Sequence, residues 1–165
     1  MICHLGHPNS PLSHPALTKR AFFSAEQTEE YVEAFQDRAC PYGSFVSSFD
    51  MMKPFVNQEK VLSQIASRGR GESVMILCAE RDRIMKLPIM EDLAETYRTT
   101  YSTMLGNKQL QGADAEVVPL PGVADGDSVG HGVRYCVVPR SGHQLQNDVP
   151  WEVGAQKLLA FYQQL

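Results

Sequence analysis

Two loops in the second half of the chain hold the residue types best suited to proton chemistry. Ser73-Val-Met-Ile-Leu-Cys-Ala79 and Val133-Arg-Tyr-Cys-Val-Val138 are apolar runs of strand length, and each leads into a polar loop. The first loop is Glu80-Arg81-Asp82-Arg83 and the second is Pro139-Arg140-Ser141-Gly142-His143, so Asp82 follows its run by three residues and His143 by five. Ligands of open parallel sheets bind beyond the carboxyl ends of the strands, and neighbouring strands would bring both loops to that rim. A carboxylate that accepts a hydrogen bond from one imidazole nitrogen fixes the tautomer. It also supports the imidazolium formed when the other nitrogen takes a proton. On spacing alone, Asp82 reads equally well as a solvated charge paired with Arg81 or Arg83, and His143 as a surface loop histidine.

Other clusters offer less. Cys3, His4, His7 and His14 are concentrated, but their spacing fits no zinc pattern and the neighbouring prolines would splay them. Gly122 to Gly132 has several glycines but no GKS or GKT and no strand-to-helix transition, so it is not a phosphate loop. No metal and no cofactor is expected.

The elements that must position Asp82 and His143 are legible from periodicity. Residues 1–24 are rich in Pro, His and Ser, with His7-Pro8 and His14-Pro15 steps that disfavour helix before each proline, and should be irregular. Ser24 and Gln27 have capping-box spacing for a helix over about 25–38, with Tyr31, Val32 and Phe35 on one face. Asn57 should cap a second helix bearing Val61, Leu62, Ile65 and Ala66. Met90, Leu93, Ala94, Tyr97, Tyr101, Met104 and Leu105 form a stripe on a helix over about 88–105, ended by Gly106. The stretch 106–132 reads as a long surface loop or a stray hairpin, in which only Glu116-Val-Val-Pro-Leu120 looks ordered. Pro150 suits the first turn of a terminal helix with Trp151, Ala155, Leu158, Leu159, Tyr162 and Leu165 on one side. From residue 57 the order is helix, strand, helix, strand, helix. This predicts an α/β fold with parallel strands and right-handed crossovers. Met1 to Leu5 could be the tail of a third strand. Even so, a sheet edge is left without a neighbour, which favours self-association.

At 165 residues with 43% hydrophobic content the chain has the composition of one globular domain. A net charge of -4 with scattered basic residues excludes the electrostatic footprint of a nucleic-acid or anionic-membrane binder, leaving a small molecule or another protein as partner. No apolar run is long enough to span a bilayer and the N-terminus lacks a signal-peptide pattern, so a cytoplasmic location is expected. The four cysteines form no CxxC pair, and Cys78 and Cys136 lie in strand-like runs, as buried free thiols do.

The combined order of apolar strand, Ala79-Glu80-Arg81-Asp82, helix, long loop, apolar strand, Ser141-Gly142-His143 and terminal helix resembles the last part of the α/β-hydrolase family. There the acid follows the penultimate strand in a Gly-Glu-x-Asp-like loop and the base follows the last strand in a Gly-His loop. Ala79 replaces the usual glycine. The run from Ser141 to Ala155 is similar to fungal members, which pass from the histidine straight into the final helix. The resemblance spans about 57–165 as the C-terminal part of the core, and residues 1–56 are similar to the variable helical cap. It implies that Asp82 is the triad acid and His143 the general base. It also implies that Phe22, Phe23, Phe49, Met51, Met52 and Phe55 contribute to an acyl or alcohol pocket, although as core residues they would look the same.

One departure from the family is central. Family enzymes carry a nucleophile in a Gly-x-Ser-x-Gly elbow upstream of the cap. Tyr42-Gly43-Ser44-Phe45-Val46 lacks the closing glycine and a preceding strand, Ser47 and Ser48 share that stretch, and Ser141 is too close to His143 in sequence. The oxyanion-hole loop is absent too. The resemblance therefore implies the cap and C-terminal half of an esterase- or lipase-like hydrolase, inactive as the isolated chain. A missing half would supply the nucleophile, which would be an aspartate in an epoxide hydrolase or dehalogenase. The alternative is a non-catalytic remnant or truncated paralogue that binds a partner or nothing.

Overall fold

The computed structural model describes residues 11–39, 56–66, 73–110 and 126–165. The candidate pocket residues Phe49, Met51, Met52 and Phe55, the Met1 to Leu5 strand tail, Cys3, Cys40 and the Glu116 to Leu120 stretch lie outside them.

The centre of the molecule is a mixed sheet with strand order β1-β3-β2, where β1 is Val74–Ala79, β2 is Ser128–Gly130 and β3 is Val133–Val138. β1 and β3 run parallel in register from Val74 opposite Val133 to Ala79 opposite Val138. Both polar loops therefore leave the same end of the sheet. The expectation of parallel strands alone is corrected by β2, which pairs antiparallel with β3. The turn between them is His131-Gly132, with φ of 43° and 73°. Two consecutive left-handed residues match the twist of a tight hairpin. Gly132 is required twice over, because a Cβ there would lie 2.4 Å from the Tyr101 ring. The short, polar Ser128–Gly130 carries no apolar alternation, and His-Gly is not one of the strong hairpin dipeptides, so the sequence leaves a hairpin as one of two readings of the stretch and does not locate its first strand.

Alternation along the strands divides the apolar residues between two faces. On one face Ile76, Cys78, Val133, Tyr135 and Val137 pack on Ala94 of α4, the helix Leu87–Gly106. The far end of α4 presents Tyr101 and Met104 to Leu62 of α3 (Gln58–Ile65), which Asn57 caps as expected, its Oδ1 accepting from the Lys60 amide at 2.8 Å. Gly106 stays helical, and the left-handed residue beyond the α4 end is Lys108, at φ 57°.

The other face meets α5, Trp151–Tyr162, which follows Pro150. The apolar stripe of this helix is not what it buries. Gly154, Lys157 and Phe161 face inward, while Trp151, Leu158, Leu159 and Tyr162 are 50 to 71% exposed. Two features turn the helix this way. Gly154 allows close approach, since a Cβ there would meet the Leu145 side chain at 2.5 Å. Lys157 is drawn in by Asp127, forming an ion pair with side chains only 7% and 5% exposed, and Asp127 Oδ1 also accepts from the Val137 amide at 2.8 Å.

The N-terminal described segment is a helical pair, α1 (Pro15–Phe22) and α2 (Glu29–Arg38), where an irregular chain was expected before residue 24. A proline restricts the residue before it and is itself well suited to the first helical turn. Extended His14 serves as the N-cap, with Nδ1 accepting from the Ala16 amide at 3.1 Å. The cap of α2 is Thr28, accepting from the Tyr31 amide at 3.2 Å, and not Ser24. Thr18 and Val32 are fully buried between the two helices, and Phe23 stands edge-on to Tyr31 and Phe35. Among the described residues, no helix is long and apolar enough to cross a membrane.

Candidate active site

Several backbone and side-chain bonds sew the two rim loops together. The Glu80 amide donates to Val138 O at 3.1 Å, the Arg81 amide to Ser141 O at 2.9 Å, and the Arg140 amide to Glu80 Oε2 at 2.6 Å. Arg140 takes a left-handed φ of 60° as the second loop turns. Within the first loop Asp82 Oδ1 accepts the amides of Ile84 at 2.7 Å and Met85 at 2.9 Å, a local turn that aspartate builds well. This leaves Oδ2 directed at His143, whose Nδ1 is 2.8 Å away. An ionised carboxylate can only accept, so pairing with one puts the proton on Nδ1 and leaves the Nε2 lone pair free to accept a proton. The Asp82 side chain is 7% exposed and that of His143 30%, so the carboxylate is sheltered and the imidazole is reachable.

Neither arginine beside Asp82 takes its charge. Arg81 swings to Glu26, with its guanidinium 2.9 and 3.2 Å from the two carboxylate oxygens. A backbone hydrogen bond at Glu26, with help from Arg81, holds that carboxyl below its ordinary pKa.

The His143 loop is anchored from below by Asp148, which is 1% exposed. Its Oδ2 accepts the Gly142 amide at 2.6 Å and the Ser24 amide at 2.7 Å. Its Oδ1 accepts the Ser24 hydroxyl at 2.7 Å and the Val149 amide at 2.8 Å. Gly142 is needed because a Cβ would sit 2.5 Å from the Phe23 carbonyl carbon, backbone that cannot move aside cheaply. The Gln144 amide donates to Phe22 O at 2.8 Å, and the Phe22 ring lies 5.8 Å from the imidazole, centre to centre. Of the candidate pocket residues, Phe22 thus touches the histidine. Phe23 is 6% exposed and is held in the α1–α2 core.

Asp148 is the site residue that sequence reading missed. Asp-Val-Pro ahead of a helix suggests an ordinary helix start, and its real partner, Ser24, is 124 residues distant. Nothing local signals that contact.

A cavity of about 430 Å³ adjoins the pair, lined by Leu77, Ala79, Met85, Leu145, Trp151 and Leu158 among others. Apart from Asp82 and His143, none of its lining residues among the described residues is charged. Cys78 also lines it, but burial raises its thiol pKa, which is the wrong direction for a nucleophile. Among the described residues no hydroxyl or thiol is hydrogen-bonded to His143: Ser141 Oγ donates to Val138 O and Ser24 Oγ to Asp148. Cys78 and Cys136 are free and buried. Among the described residues no group of three or more His, Cys, Asp or Glu side chains is placed to hold a metal. No family model, curated protein or solved structure matches the chain.

Proposed function

We propose that this chain contributes the acid and the general base of an esterase- or lipase-like α/β-hydrolase, with the nucleophile and oxyanion donors coming from outside these 165 residues. One observation carries the reading: the Asp82–His143 contact of 2.8 Å at the carboxyl ends of two adjacent parallel strands. In such a reaction His143 Nε2 takes the proton of the attacking hydroxyl as the new bond to the acyl carbon forms. Asp82 stabilises the imidazolium, and the same proton then passes to the departing alkoxide. A water deprotonated by the same Nε2 then opens the acyl intermediate and releases the acid, whereas a carboxylate nucleophile would need no base for its own attack and would use His143 only in that water step. The apolar cavity beside the pair suits an uncharged ester better than an anionic substrate.

A second reading, a binding protein without catalysis, is favoured by the lack of any hydroxyl or thiol bonded to His143 among the described residues. Two experiments bear on these readings: the first tests the premise they share, and the second separates them. A short-chain nitrophenyl ester assay of the 165-residue chain beside its His143→Ala variant should give no His143-dependent turnover, because most of the rate comes from the nucleophile and oxyanion donors that this reading places elsewhere. The genomic sequence upstream of Met1 should encode, in frame or by splicing, a strand followed by Gly-x-Ser-x-Gly. The extended product should then hydrolyse the ester in a manner dependent on Asp82 and His143. An upstream stop with an independent promoter favours the binding protein.

A further inference from the structure

A second cavity of about 430 Å³ opens between α1, α2 and the residue after Asp82, and among the described residues it shares no lining residue with the first. Its floor is apolar, with Phe23 and Val32 both buried. Its walls are charged. Lys19 and Arg20 come from α1, Glu29 and Glu33 from α2, and Arg83 from the acid loop. Helical spacing produces this arrangement: Ala16, Lys19, Arg20 and Phe23 recur every three or four residues, as do Glu29, Val32 and Glu33, so one face of each helix borders the space.

Among the described residues none of these five charged side chains forms an ion pair, whereas Arg81 close by is held by Glu26 at 2.9 Å. Cations and carboxylates that border one cavity without reaching each other leave room for a ligand carrying both complementary charges. The volume falls within the range of small-molecule sites, roughly 300 to 1,000 Å³. An apolar ligand would remove part of the water around these mostly exposed charges and return nothing, and a simple anion would add like charge beside the two glutamates.

We propose that this cavity binds a free α-amino acid with an apolar side chain. The carboxylate is received by Lys19, Arg20 and Arg83, the ammonium by Glu29 and Glu33, and the side chain lies against the accessible Pro15, Ala16 and Ala25, above the buried Phe23 and Val32. The assignment is independent of what Asp82 and His143 do.

The test is an NMR titration of the 165-residue chain with L-phenylalanine, following the Val32 methyl and Arg83 guanidinium signals. 3-Phenylpropionate and phenethylamine serve as controls that each lack one charge. Phenylalanine should give saturable shifts, and each control should bind about tenfold more weakly. Arg83→Gln and Glu33→Gln should each weaken phenylalanine by about three- to tenfold, while Arg81→Gln leaves it unchanged. All three side chains are exposed, so the variants should keep the parent circular dichroism spectrum. Absence of saturable shifts overturns the proposal, as does 3-phenylpropionate binding as tightly as phenylalanine. Binding that ignores both Arg83→Gln and Glu33→Gln overturns it as well.

Discussion

Asp82 and Asp148 belong to neighbouring loops of one rim, yet their oxygens are employed differently. Asp148 is enclosed by protein donors: the Ser24 amide and hydroxyl, the Gly142 amide and the Val149 amide. It joins the helical pair, the base loop and the start of α5, with no acceptor capacity directed at a titrating group. Asp82 uses one oxygen to shape its own turn and keeps the other for the imidazole. One carboxylate fixes where the backbone of the base loop lies, and the other fixes which nitrogen of the base carries the proton. Burial alone does not distinguish these roles, since both side chains are sheltered; the identity of the donors does.

If that division is correct, substitutions at the two positions should fail in different ways. In the completed hydrolase that we propose, Asp82→Asn should reduce kcat roughly ten-thousand-fold through the wrong imidazole tautomer while leaving the melting temperature nearly unchanged. Steady-state kinetics beside a thermal melt checks both halves. A large loss of stability with little loss of rate would reverse the roles assigned to the two residues.

Asp148→Ala should do the opposite. It strands the buried Ser24 amide and hydroxyl and the Gly142 amide, a loss of about 3 to 6 kcal/mol in urea unfolding. Gly142→Ala should act in the same direction by pushing the loop off the Phe23 backbone. An Asp148→Ala protein as stable as the parent would show that the clamp is not formed in solution.

A third carboxylate, Asp127, extends the comparison. Its partner Lys157 is buried, so Lys157→Ala should destabilise by about 3 kcal/mol by leaving an unpaired buried charge, whereas Lys157→Met combined with Asp127→Asn should recover most of that. Equal losses in the single and double variants would contradict the pairing.

The smallest effect concerns the strand thiols. Burial pushes Cys136 up to about 12, so the folded chain keeps it neutral while the unfolded chain ionises it near 9.0. Its contribution to stability is whole below 9.0 and is lost as the pH climbs from there towards 12. Cys136→Ala should flatten the fall in unfolding free energy across that window, and an unchanged slope would show that the thiol is accessible.

Local signals account for most of what the sequence revealed. The β1 and β3 runs, the Asn57 cap and the α4 stripe each depend on residues within a few positions of one another, and each corresponds to an element in the structure. The meeting of Asp82 and His143 was readable because two strands that pair in parallel must deliver their following loops to one rim. What escaped depends on distance or on competition. Ser24 looked like a cap until Asp148 claimed it. His14-Pro15 looked like a helix breaker although it is a helix start. The α5 stripe looked like a core face although Asp127 pulls Lys157 inward and turns Trp151 and Leu158 outward.

The most direct test of the central claim is the protonation state of His143 by nitrogen-15 NMR under mildly alkaline conditions, in the parent chain and in Asp82→Asn. The parent should show the proton on Nδ1 and a bare Nε2, and Asp82→Asn should lose that preference while the backbone amide spectrum stays folded. A proton found on Nε2 in the parent, or a tautomer indifferent to Asp82, would contradict the assignment of His143 as a base oriented by this carboxylate.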